Sequence, residues 1–363
     1  MQLRELLVLG LLASTGCGAV DSPDMAGAGA PPGTGGASGS GGGSNSGGTG
    51  TVPSGLVATV FRGGPYRTPI GASPAIDPQS AHFVAMLDFP LAANTVKFGV
   101  TVRYSHASDP GYRIVLTPPG GEDWGQPFDE KVATADGSDS CNPLHIPDDL
   151  SAPPGDETWR DGWVYIVDTT KRAQLICAIW QASKASGMWA GSYGAVLDAR
   201  GTGGKLAGTI SSSGIPHNPI LASEIKAGAI EHALSFGSAK NDPDLFRPPA
   251  IKTDGKGQPG GLQQGMRFQL DPSYDCGGLA NRIESMVCVA LQKYGMYDND
   301  STTGGNGFLF ETDDLSDPGR APPLRPGDYA RPGGLYASNG LNYDYQTFPN
   351  IPLSRMRLLQ PGT

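Results

Sequence analysis

The sequence predicts a mainly β fold: a β-sandwich or jelly-roll-like single domain with one or two short helices, placed after a disordered Gly/Ser-rich linker. Three observations carry this. Several short stretches alternate apolar and polar residues and are rich in β-branched and aromatic side chains, the pattern of half-buried strands. Gly and Pro are abundant, 54 and 32 of 363 residues, so turns interrupt the chain often. Only two segments repeat apolar residues at helical spacing. Many short strands with frequent turns suit a sandwich or jelly roll.

The N-terminus reads as an export signal over 1–16. Arg4 and Glu5 precede an apolar run at 6–12 and then small residues. The run is far too short to span a bilayer as a helix, and its shape is that of a secretory signal. Cys17, directly after Ser14-Thr15-Gly16, resembles the lipidated cysteine of a bacterial lipobox; a plain cleaved signal is the alternative. Segment 17–55 is expected to be a flexible tether, because from about 25 onward it is nearly all Gly, Ser, Ala, Thr and Pro. Such composition buries too little apolar surface to offset chain entropy. About 30 residues of this kind reach roughly 30 Å. The expected location is therefore the bacterial outer membrane or cell surface, with the membrane touched only through the lipid anchor.

Residues 56–363 are expected to form one domain, since no second low-complexity break interrupts them. The net charge is −9, with no basic cluster, which excludes nucleic acid as a natural partner. Of the five cysteines, Cys17 is assigned to lipidation. The even set Cys141, Cys177, Cys276 and Cys288 suggests two disulfides in an oxidising compartment. Three pairings are open. Cys276–Cys288 closes a short loop and is preferred, which leaves Cys141–Cys177. No cysteine has histidines at zinc-ligand spacing, and no metal set is assigned.

The elements follow in order. Strands are expected over 95–104 (TVKFGVTVRY), 112–117 (YRIVLT), 163–168 (WVYIVD) and 174–181 (QLICAIWQ). Between the last two, Asp168 is expected to bond local backbone in a hairpin turn. A short helix is expected over 222–228, capped by Ser223 and stopped by Gly228. A strand over 230–236 (IEHALSF) would follow, and others over 266–270 and 308–311. The second helix is expected over 279–294, with Ile283, Met286, Val287, Ala290 and Leu291 on its inner face and Gly295 after its end. Asp298, Asn299, Asp300 and Ser301 read as an acidic loop. It is the one place that invites calcium, yet it lacks the glycine and distal Glu of an EF-hand.

The segments PYRTPIGASPAIDP (65–78), RDGWVYIVDTTKRAQLICAIWQAS (160–183), GMWAGSYGAVLDARG (187–201), ILASEIKAGAIEHALSF (220–236), IKTDG (251–255), GMRFQLDPS (265–273) and ALQKYGMYDND (290–300) come in an order that resembles a group of largely uncharacterised secreted bacterial proteins. Some members of that group sit beside carbohydrate-binding modules. The resemblance implies a glycan-related role, with Glu224, Glu231 and His232 at carboxylate and histidine positions of the group. The group usually has Asp-Gly-His where this chain has Asp161-Gly162-Trp163.

Two carboxylates and an imidazole within nine residues suit proton transfer, so Glu224, Glu231 and His232 are the candidate catalytic set. A competing reading makes His232 a hydrogen-bonded core residue among Ile230, Leu234 and Phe236, and Glu224 a capping residue. Lys252 and Asp254 are candidate substrate-binding residues in a polar loop; the plain alternative is a turn at Asp254-Gly255. Trp189 and Tyr193, with Trp180, are candidate sugar-stacking aromatics or core residues. Ser235 and the serines at 211–213 lack a G-x-S-x-G context, which argues against a serine hydrolase. The leading expectation is a tethered glycoside hydrolase or polysaccharide lyase working by acid–base chemistry. The alternative is a non-catalytic lipoprotein that binds polysaccharide or cell-envelope glycan.

Anchoring gives the first prediction. Cys17→Ser should release the protein from membranes or block its maturation, read by fractionation and by the mass of the mature N-terminus. Unchanged fractionation with no acyl mass would refute lipidation.

Overall fold

The six-residue segment WVYIVD is buried along its whole length as the strand Trp163–Asp168, and the larger sheet is built around it. The computed structural model describes residues 65–95, 99–105, 107–117, 127–129, 132–134, 137–147, 150, 162–168, 170, 175–198, 205–208, 213–302, 306–312, 334–341 and 346–363. Cys17, the 17–55 linker and Asp161 lie outside the described residues.

The larger sheet has six strands, in the order Lys205–Gly208, Tyr193–Asp198, Leu175–Trp180, Trp163–Asp168, Val100–Ser105 and Glu311–Thr312. The first four run antiparallel to one another. Val100–Ser105 lies parallel to both of its neighbours. Strand periodicity sends Trp163, Tyr165 and Val167 to one face and Val164 and Ile166 to the other. One face packs together with Ile176, Ala178 and Leu197 of the neighbouring strands under Leu221, the other against Leu116, Phe128 and Trp189 from outside the sheet. A strand covered on both sides reads as a continuous apolar run, as this one does.

The second sheet has four strands, in the order Leu234–Ser238, Met296–Ser301, Arg267–Leu270 and Met356–Leu358. The first pair is parallel and the others antiparallel. Helix α3, Arg282–Lys293, packs on Arg267–Leu270. Its start is set by Asn281, whose Oδ1 accepts the Glu284 amide at 3.0 Å. Ile283, Met286, Val287, Ala290 and Leu291 are all buried, as their spacing predicts. Each large member of that stripe contributes about 1.5–3 kcal/mol by leaving water. Gly295 follows at φ 74°, a left-handed position that ends the helix cheaply only with glycine.

The β-rich expectation holds, and several element edges move. Helix α2, Ala222–Ala227, has Leu221 at its N-cap rather than Ser223, which falls inside the helix. The Glu224 carboxylate caps it instead, accepting the Leu221 amide at 3.0 Å. Gly228 stops it at φ 83°. A further helical turn, α1 at Ser80–Val84, buries Phe83 and has no strong periodic signal. The 230–236 strand begins only at Leu234 and runs to Ser238, so residues 230–233 lie outside it. The acidic loop at 298–301 is instead the last four residues of the strand Met296–Ser301. Pairing with Leu234–Ser238 gives that segment backbone partners, so it is a strand and not an open loop. The 95–104 strand starts at Val100, and 112–117 divides into Gly111–Tyr112 and Val115–Leu116. The division comes where the Ile114 amide donates to Asn142 Oδ1 at 3.0 Å.

Both disulfides form as preferred: Cys141–Cys177 and Cys276–Cys288, with Cα separations of 6.0 and 5.6 Å. Cys276–Cys288 joins α3 to the loop before it. Cys141–Cys177 pins an outer loop to the larger sheet. Two disulfides are those of an oxidising, extracellular environment. Among the described residues no helix is long and apolar enough to cross a membrane.

Peptide mapping without reductant should recover these two pairs and no other. The bridges close loops of 12 and 36 residues. Chain-entropy loss predicts destabilisation of about 3 and about 4 kcal/mol on removing the shorter and longer bridge. Denaturant unfolding of the paired Cys→Ala variants measures it; equal or reversed losses would contradict the loop argument.

Candidate functional site

Glu224 and His232 do come together, in a form set by α2. The helix cap turns the Glu224 carboxylate back over Leu221, and the 228–233 turn delivers His232 to it. His232 Nε2 meets Glu224 Oε2 at 3.0 Å. Glu224 Oε2 also accepts the Leu221 amide, and Oε1 accepts the Glu231 amide at 3.3 Å. His232 Nδ1 pairs with the Ala233 carbonyl at 2.9 Å. His232 and Glu224 are only 2% and 8% exposed. Burial alone would push the Glu224 carboxyl up, but the His232 charge and the hydrogen bonds leave it below its ordinary value. Burial alone would push His232 down; the Glu224 charge and bond leave it raised. The pair is an internal ion pair whose acceptors are already taken.

The other predicted residues do not converge on it. Glu231 contributes its backbone amide and leaves its side chain exposed. The hydrogen bonds of Glu224 and His232 involve neither Lys252 nor Asp254. Asp254 is half-buried and bonded within its own region, accepting Gln264 Nε2 at 2.6 Å and donating its amide to Gln264 Oε1. Lys252 lies in the same irregular loop, also half-buried. Trp189 is 1% exposed in the core beneath the larger sheet, so it offers no face to a sugar. Tyr193 is half-buried and stacks on Trp180, with ring centroids 5.2 Å apart.

That stack belongs to a larger aromatic group. Trp163, Trp180 and Tyr193 stand on three adjacent strands of the six-stranded sheet. Trp163 lies 6.4 Å from Trp180 and 5.0 Å from the His217 ring. His217 and Asn218 are buried in the irregular segment before α2. Asn218 sits at φ 44°, an uncommon region for a residue with a side chain. His217 Nε2 and both polar side-chain atoms of Asn218 are buried without hydrogen-bond partners. His217 Nδ1 meets Asn299 Nδ2 at 3.2 Å. Burial lowers the His217 pKa to about 4, so its ring is neutral across ordinary pH. The Tyr165 hydroxyl is also buried; the His217 amide approaches it without forming a normal hydrogen bond. Burial is the main force pushing Tyr165 up, and the Asp300 charge adds to it. His217 and Asn218 are not legible in the sequence, because a lone His-Asn between two prolines carries no spacing signal.

A second missed arrangement lies at the far end of Trp163–Asp168, about 17 Å from the tryptophan by strand rise. Asp168 is fully buried, and its Oδ1 accepts the Thr170 amide at 2.9 Å and the Thr170 hydroxyl at 2.6 Å. Thr170 Oγ1 in turn meets His145 Nδ1 at 3.0 Å, and Asp168 Oδ2 stands 3.6 Å from the same nitrogen. With the Thr170 hydroxyl donating to Asp168, Thr170 Oγ1 is left to accept from His145 Nδ1–H. The His145 side chain is 24% exposed. The expected turn at Asp168 is present, but the histidine that it orients arrives from 23 residues upstream and is invisible locally.

A cavity of about 320 Å³ opens elsewhere, lined in part by Pro65, Pro69, Pro248, Arg247, Arg267 and Tyr297. Its arginines are engaged, Arg247 with Asp77 and Gln263, Arg267 with the carbonyls of Thr68, Tyr294 and Thr363. Among the described residues no cluster of His, Cys, Asp and Glu is arranged to hold a metal ion. No family model, curated protein or solved structure matches the chain.

The buried pair predicts a pH signature. Glu224, depressed from its ordinary 4.5, contributes stability that is present above that value and lost as pH falls through its folded pKa. His232, raised from 6.5, contributes stability that is present below that value and lost as pH rises through its folded pKa. Their joint contribution is therefore full between those two values. His232→Ala leaves a buried carboxylate unpaired and should cost about 3–5 kcal/mol in that window. Thermal unfolding across pH checks this; an unchanged melting temperature would refute the pair's structural role.

Proposed function

We propose that this is an exported protein, tethered at the cell surface, that engages polysaccharide on the aromatic shelf of its six-stranded sheet. The supporting observation is the His217–Asn218 corner beside Trp163, Trp180 and Tyr193. Sugar rings present an apolar face to aromatic rings and hydroxyls to nearby donors and acceptors. Partnerless buried polar atoms are costly in a finished fold. A residue held at positive φ with both side-chain atoms unused is the kind of strain that clusters at binding sites. A neutral imidazole adds hydroxyl recognition without charge. The export signal, the linker and the resemblance to secreted proteins found beside carbohydrate-binding modules point the same way.

Acid–base catalysis is the second reading, and one observation favours it. Asp168 and Thr170 orient a partly exposed His145, which is the arrangement of a base held by a third group. In this reading His145, and not His232, takes the proton.

The two readings separate on purified domain screened against polysaccharides. Binding by calorimetry, weakened about tenfold or more (1.4 kcal/mol per factor of ten) by Trp180→Ala with the fold intact, supports the shelf. Turnover lowered by roughly 10²–10⁴ in His145→Ala, at an unchanged melting temperature, supports the enzyme. Neither binding nor turnover on any glycan would sink both.

A further inference from the structure

Asp298 is the most deeply enclosed carboxyl of the four-stranded sheet. It has no exposure, and neither has Asn241, whose Nδ2 donates to Asp298 Oδ1 at 2.7 Å. The remaining oxygen of each, Asp298 Oδ2 and Asn241 Oδ1, is buried with no hydrogen-bond partner. If Asp298 were ionised, two acceptors would be stranded in the interior next to a good hydrogen bond between the same two side chains. A single proton on Oδ2 satisfies both, because its O–H then donates to Asn241 Oδ1 and closes a two-bond carboxylic acid–amide ring. We propose that Asp298 is a neutral acid paired in this way with Asn241, and that the pair is a pH-sensitive latch holding the 241–264 segment on the sheet.

The surroundings favour the proton. Asp300 on the same strand and Asp254 on the neighbouring loop both press against a negative charge at Asp298, adding to burial. The adjoining strand Leu234–Ser238 has no titratable side chain. Arg267, on the other neighbouring strand, is turned to the Tyr297 ring at 5.3 Å and bonds the Tyr294 carbonyl. Lys240 is paired at the surface with Asp88. Asp242, beside Asn241, spends its oxygens on the amides of Asp244, Leu245 and Gly260. Among the described residues no cation bonds Asp298.

What the latch holds is defined by backbone bonds. Asn241 opens the strand Asn241–Phe246, which pairs with Leu262–Gln264. Its carbonyl accepts the Gly257 amide at 2.8 Å. The loop between carries Lys252 and Asp254. On the sheet side Asp298 accepts the Gly265 amide and donates to the Met266 carbonyl, at 2.7 and 3.0 Å. Loss of the proton sets two oxygens against each other where the segment meets the sheet.

The sign follows from linkage. A carboxyl whose folded pKa lies above its ordinary 3.8 binds its proton more tightly in the native state. Its contribution to stability therefore falls as pH rises from that value to the folded pKa, and stays low above it. Asp298→Asn, made in the full chain, keeps both ring bonds without a titratable proton. The expected result is a folded variant whose folding constant gains on wild type by up to about tenfold per pH unit through that window. The hydrogen-exchange protection of 241–264, taken relative to the base-catalysed intrinsic rate, should fall on the alkaline side in wild type and hold in the variant. The infrared C=O band of a neutral carboxyl should persist in wild type above the ordinary carboxyl range and be absent from the variant. Should the variant fail to fold, the wild-type infrared and exchange measurements decide alone. Absence of the neutral carboxyl band would overturn the proposal. So would wild-type stabilisation by calcium alone that Asp298→Asn abolishes, since Asp298 would then be a cation ligand.

Discussion

The structure depends on one strand being covered from both sides. Trp163–Asp168 contributes every side chain to an interior, so its two faces commit the chain to a layer above and a layer below the six-stranded sheet. The lower layer is tied on by Cys141–Cys177. The upper layer includes Leu221 and places His217 against Trp163. Each end of the same strand then meets polar groups where apolar cover runs out. The two arrangements of greatest chemical interest, around Trp163 and around Asp168, are the two ends of one buried strand.

How the polar groups are handled separates structure from chemistry. Glu224 and Glu284 are buried acids with each oxygen assigned: Glu224 to Leu221, Glu231 and His232, and Glu284 to the amide and side chain of Asn350. Such carboxylates hold segments in place, one setting a helix cap and the other tying the C-terminal stretch to α3. His217, Asn218 and Asp298 instead carry buried atoms without partners. Native interiors tolerate few of these, so each calls for a proton, a ligand or a mechanical role. Saturated sites cannot accept a substrate without first giving up native bonds.

What was legible in the sequence follows the range of the interactions. The stripe of α3, the stop at Gly228 and the apolar run of the strand Trp163–Asp168 are local patterns, and all three are present. The disulfides were legible because few partitions of four cysteines exist and one closes a short loop. The 230–236 strand was misread because IEHALSF alternates well, yet Glu224 draws the Glu231 amide and the His232 ring into a turn. The 298–301 acidic loop was misread because DNDS looks solvated. A parallel strand at Leu234–Ser238, more than sixty residues upstream, supplies its backbone partners, and burial overrides the charge. His145 was invisible for the same reason, since its meaning lies in Thr170 and Asp168.

These contrasts bear on how function should be sought in such a fold. A carboxylate and a histidine close in sequence suggest catalysis, yet proximity along the chain also makes a local cap and its ion pair easy to build. Glu224–His232 shows the second outcome: eight residues apart, joined at 3.0 Å, and sealed. The arrangement at His145 joins residues 25 apart through Thr170 and leaves the ring partly open to solvent. The aromatic shelf is assembled from three strands and an upper-layer segment, with Trp180 and Tyr193 still half-exposed. Access, saturation and the distance over which a group is assembled therefore discriminate better than composition. By those measures Trp180, Tyr193 and His145 are open to an external molecule in a way that the sealed Glu224–His232 pair is not.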